Sequence, residues 1–84
     1  MSSFNERYHE QSRAVLFDDW YETLTLPMQE RLDIWLDILE IRIFSYGGTS
    51  EESRYNMPRS LLWAIYEKNP LAFALRLQAE AVRS

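Results

Sequence analysis

The residues best suited to chemistry fall in a few short stretches, and none of them closes into a reaction centre. Glu6-Arg7-Tyr8-His9 carries the Glu-x-x-His spacing of carboxylate-rich di-iron bundles. Such a site needs two copies of the pair and further glutamates, whereas His9 is the only histidine of the chain. An exposed imidazole in a polar segment is the expectation there. Gly47-Gly48-Thr49-Ser50 sets glycines and hydroxyls ahead of a helix start, where backbone amides can hold an anion. A P-loop needs a longer glycine frame and a lysine beside its Ser/Thr; helix termination followed by capping accounts for all four residues. Asp18-Asp19 and Glu51-Glu52 are adjacent carboxylates, which diverge on a helix surface and cannot flank one substrate. Cysteine is absent, so disulfides, thiolate metal sites and cysteine nucleophiles are excluded. The expectation is a protein that is not an enzyme, with no catalytic residue, no bound cofactor and no metal site.

A different pattern lies between Pro27 and Tyr46. With each residue about 100° on from the last, Leu32, Trp35, Leu36, Leu39 and Ile43 gather into one broad apolar arc. Glu30, Asp33, Asp37 and Glu40 form an acidic arc, and Ile34, Ile38 and Ile41 make a second, narrower apolar strip beyond it. A surface helix needs one apolar stripe; a helix with two is packed on both sides or keeps one for a partner. None of the four acids has a basic residue four positions later, and Asp33 and Asp37 repel as like charges at i,i+4, at about 0.2–0.5 kcal/mol. The stripe reads as a solvated face, as a counterpart to basic residues of the same chain, or as a partner surface. As a mimic of nucleic acid it is sparse. Four charges span about 15 Å, a length in which duplex DNA shows roughly nine phosphates, although Asp18, Asp19 and Glu22 could extend it.

The elements that would carry this face are helices. Residues 1–13 are polar and read either as a loose tail or as opening helical turns after Ser2 or Ser3. Leu16, Trp20 and Leu24 recur at four-residue spacing beside Phe17, which favours a helix over a strand. Thr25-Leu26-Pro27 is a start signal and Gly47-Gly48 a stop. Thr49 and Glu52 have capping-box spacing. Pro58 disfavours helical geometry at Met57, which predicts a short third helix and a new one opening at Pro58 along Leu61, Leu62, Ile65 and Tyr66. Asn69-Pro70 starts the last helix, where Leu71, Ala74, Leu75, Gln78 and Val82 step along one side. The fold class is all-α, a small compact bundle of four to five short helices in one domain, residues 1–84.

Composition agrees. The 84 residues are 46% hydrophobic, enough for a folded core, and carry twelve aromatics, some of which are expected at the surface as anchors. Apolar runs are short and broken by charge, so no membrane span or secretory signal is expected, and a cytoplasmic setting is the default. Net charge is −4 and polarised. Asp18 to Glu40 holds seven acids against Arg31 alone, whereas Arg54, Arg59, Lys68, Arg76 and Arg83 face only Glu67 and Glu80 after Ser53. Direct nucleic-acid binding would have to use Arg54, Arg59 and Arg76 with Tyr55 or Trp63 as stacking partners, against an acidic overall balance.

Three functions follow in order of support. The first is a non-enzymatic protein-binding module that meets a basic partner through Glu30, Asp33, Ile34, Asp37, Ile38, Glu40 and Ile41. In size, acidity and aromatic content the whole chain resembles, in kind and with no shared motif, the small inhibitors that phages and other mobile elements deploy against host or defence complexes, anti-CRISPR proteins among them. That likeness implies an inhibitor or modulator acting in the host cytoplasm. The second is a small assembly chaperone or homo-oligomeric subunit, with the isoleucine strip as a seam. The third is a DNA-binding regulator.

Overall fold

The computed structural model describes the backbone of residues 3–45 and 50–83, and side chains from His9 onward. Four helices form: α1 (Ser3–Tyr21), α2 (Leu26–Ser45), α3 (Glu51–Lys68) and α4 (Pro70–Arg83). The small all-α bundle expected from the sequence is therefore what the chain adopts. α1 packs mainly on α3, while α2 packs on α4 and α3. The molecule measures 40 × 24 × 19 Å. Among the described residues no helix is long and apolar enough to cross a membrane.

Local chemistry sets the helix ends. α1 closes through the Thr23 amide and hydroxyl, both donating to the Trp20 carbonyl, and through Gln29 Nε2 donating to the Tyr21 carbonyl at 2.9 Å. The Thr25 carbonyl accepts the first bond of α2 from Gln29 N, so the helix begins beside Pro27 as the start signal predicts. Ser50 Oγ accepts from Ser53 N at 3.2 Å and caps α3. The capping role thus falls on Ser50, one residue after the predicted Thr49; Thr49 and Gly47-Gly48 lie outside the described residues. Asn69 serves two helices. Its amide closes α3 on the Tyr66 carbonyl, and its Oδ1 accepts from Ala72 N at 3.2 Å to open α4.

One break does not occur. α3 runs unbroken through Pro58, which corrects the expected division into two helices. The proline ring is among the most deeply buried side chains of the protein. Burying it offsets part of the roughly 3 kcal/mol that an interior proline costs a helix. Arg59 Nη1 also donates to the Tyr55 carbonyl at 3.0 Å.

The core gathers Phe17, Leu32, Leu36, Leu62, Phe73 and Leu77, with Trp20, Trp35, Trp63 and Tyr66 packed around them. Trp20 sits at the middle of the aromatic cluster. Its ring centre lies 4.8 Å from Tyr66, 5.7 Å from Phe73 and 5.8 Å from Phe17. Edge-on and tilted geometries such as these match ring edges to ring faces. Two apolar stripes read from the sequence turn out differently. Phe17 is buried in α1 while Leu16 points outward, and α4 buries Phe73, Leu77 and Ala81 while Leu71, Leu75 and Val82 face solvent.

Candidate functional site

α2 is three-sided in the structure. Leu32, Leu36 and Ile43 are buried, and Trp35 and Leu39 are half-buried beside them. On the opposite side Ile34, Ile38 and Ile41 keep 46%, 48% and 69% of their surface exposed. The reason is geometric: a helix in a four-helix bundle can turn only part of its circumference inward, and the Leu/Trp arc already fills that part.

Between these sides runs the acidic arc. Glu30, Asp33 and Asp37 are exposed and Glu40 is half-buried. Among the described residues no ion pair engages any of the four. The salt bridges found, Arg59 to Asp18 and Arg76 to Glu80, lie elsewhere. Asp33 instead accepts the Tyr21 hydroxyl at 3.0 and 3.2 Å. Burial, reinforced by that hydrogen bond and by the Asp33 charge, holds the Tyr21 hydroxyl above its ordinary pKa of 10.0.

Asp33 also borders an open cavity of about 280 Å³ whose other walls include Phe17, Asp18, Glu22, Tyr55 and Arg59. Within it Asp18 takes Arg59 Nε at 3.1 Å and the Tyr55 hydroxyl at 2.9 Å, and the Arg59 guanidinium stacks 3.9 Å from the Tyr55 ring centre. The hydrogen bond to Asp18, with some burial, raises the Tyr55 pKa, while Arg59 pulls the other way. This Asp18–Arg59–Tyr55 group ties α1 to α3. Asp18 is thus paired within the molecule, and it shares the cavity wall with Asp33 and with Glu22, which follows α1.

His9 is exposed on α1, as expected for the lone histidine. The Glu6 side chain of the Glu-x-x-His pair lies outside the described residues. Glu51 and Glu52 occupy the first turn of α3, where carboxylates favour the positive helix end. The arginines offered for nucleic-acid binding are engaged internally: Arg54 lies over Phe44 at 3.8 Å, Arg59 holds Asp18, and Arg76 holds Glu80. Trp63 stacks on Tyr66 with ring centres 4.9 Å apart.

The sequence pattern picks out the Leu71, Leu75 and Val82 stripe of α4, which the structure leaves outward, but not the buried Phe73, Leu77 and Ala81 side or the Asp18–Arg59–Tyr55 group. The buried side had a signal, since Phe73, Leu77 and Ala81 also follow helical spacing. The second joins residues some forty positions apart and left no local trace. Fold and surface together describe a small helical bundle with an acid-edged aliphatic face. No family model, curated protein or solved structure matches the chain.

Proposed function

We propose that this chain is a non-enzymatic protein-binding module whose α2 outer face docks on a basic surface of a larger complex, which it inhibits or modulates. The observation that carries the reading is the exposure of Ile34, Ile38 and Ile41 beside Glu30, Asp33 and Asp37, acids that no cation of the described residues neutralises. Aliphatic area supplies affinity when it leaves water, and the unpaired carboxylates steer the approach of a positive partner and fix its register.

The test is a titration of isotope-labelled protein with a synthetic amphipathic helix bearing leucines at i, i+4 and i+7 and arginines along one edge. Amide shifts should concentrate on α2 from Glu30 to Ile41 and weaken with salt. Shifts located elsewhere, or binding unchanged by Glu30→Lys with Asp37→Lys, would remove the support.

A further inference from the structure

The open cavity between α1, α2 and α3 adjoins the docking face, because Asp33 belongs to both. Its volume of about 280 Å³ lies just below the roughly 300–1,000 Å³ of pockets for drug-sized ligands, which suits a single side chain. The lining is of two kinds. Phe17 and Leu36, 1% and 7% exposed, supply apolar surface together with the rings of Tyr21 and Tyr55. Asp18, Glu22 and Asp33 supply three negative charges against the one positive charge of Arg59, a balance of −2.

Internal bonds meet this surplus only in part. Tyr21 donates its hydroxyl to Asp33 and Tyr55 donates its own to Asp18, but a phenol brings a hydrogen bond and no charge. Arg59 pairs with Asp18, which leaves Glu22 and Asp33 without an ion pair among the described residues. A carboxylate offers about four acceptor positions, and Asp33 accepts only the Tyr21 hydroxyl, shared between its two oxygens. The lining also shows the kind of cation it holds. Arg59 is kept by Asp18 at its Nε, 3.1 Å away, and by the face of the Tyr55 ring at 3.9 Å. A planar guanidinium combines these edge and face contacts, whereas an ammonium is a strongly hydrated point charge.

We infer that this cavity receives one arginine side chain of the basic partner that docks on α2. The incoming guanidinium meets Glu22 and Asp33, while its stem lies along the apolar and aromatic lining. The inference rests on the reading of α2 as a docking face and deepens it. Isoleucines and outer acids provide area and steering; the cavity provides the anchor, the part that arginine often plays when seated in an interface pocket.

The probe is N-acetyl-arginine methylamide, titrated into the isotope-labelled whole protein at about 0.15 M salt, where exposed charges more than about 8 Å apart are largely screened. Shifts should concentrate on Tyr21, Glu22, Asp33 and Tyr55. N-acetyl-lysine methylamide should bind about fivefold more weakly. Glu22 is exposed and lies outside the helices, so replacing it leaves the core intact, as circular dichroism checks. Glu22→Gln should weaken the arginine probe about threefold. Glu22→Arg, which sets a guanidinium of the chain's own at the cavity wall, should abolish its binding. Glu30→Lys with Asp37→Lys changes no residue of the lining and should leave it unaltered.

The anchor and the docking face fail differently. Scattered shifts, equal binding of the lysine probe, or indifference to Glu22→Arg overturns the anchor and leaves the arginine-edged leucine helix free to dock on α2. That helix, once bound, should exclude the arginine probe from the cavity. Simultaneous binding of both, or a probe that binds where the helix never shifts α2, overturns the assignment of the cavity to a partner's arginine.

Discussion

Changing Ile38 to Ser separates a surface held for a partner from ordinary interior. Ile38 retains 48% of its surface in the folded chain, so only about half of the 1.5–3 kcal/mol that complete burial of such a side chain yields is at stake. The expected loss of folding stability is about 1 kcal/mol. Leu32, on the same helix, is 0% exposed, and Leu32→Ala should cost about 2–5 kcal/mol through lost transfer energy and the cavity left behind. In a domain of this size 1 kcal/mol moves the melting temperature by about 4–8 °C, so the two variants are easily told apart. Urea unfolding followed by tryptophan fluorescence, at low protein concentration, gives both values from midpoints at constant slope. If Ile38→Ser costs as much as Leu32→Ala, the strip belongs to the folding core and is not held for a partner.

Further outcomes follow from particular bonds. Glu30→Lys with Asp37→Lys should slow association with a basic helix about tenfold at low salt while leaving the melting temperature nearly unchanged, as stopped-flow mixing and a thermal scan would show. The raised Tyr21 pKa means that the folded state holds the phenolic proton more tightly than the unfolded chain. Its contribution is therefore complete below pH 10 and disappears as pH rises through the folded value; urea midpoints that do not fall on going above pH 10 would contradict this. Asp18→Asn should lower the Tyr55 pKa toward 10.0, read by ultraviolet titration, and cost about 1 kcal/mol of stability, because it weakens the contacts to both Arg59 and Tyr55. Asn69→Ala removes the cap of α4 and should cost about 1 kcal/mol in the same unfolding experiment.

What the sequence made legible was decided within single helices. The inner arc of α2 is readable because charged residues separate it cleanly from the isoleucines, and Asn69-Pro70 is readable because cap and first-turn proline are adjacent. α4 shows where such reading stops. Its residues allow two apolar stripes, one through Leu71, Leu75 and Val82 and another through Phe73, Leu77 and Ala81. Periodicity cannot rank them. The choice is made by Trp20 and Trp35, from two other helices, whose rings meet Phe73 at 5.7 Å. In α1 the same logic prefers Phe17 to Leu16. Pro58 shows a related effect: local preference breaks a helix there, but the surrounding bundle buries the ring and the helix continues. The acids of α2 were identifiable as a stripe, whereas the tyrosine that Asp33 holds comes from a neighbouring helix, twelve residues earlier in the chain.

The single residue joining α3 to α4 has a mechanical consequence. Asn69 and Pro70 are what keep two helices from running on as one straight rod. Were that corner to open, Phe73 and Leu77 would leave the Trp20 ring and Leu32 behind, and the last helix would swing out as a free arm carrying a third of the interior with it. The two bonds of Asn69 at this corner, one to each helix, therefore hold the last helix against its own core.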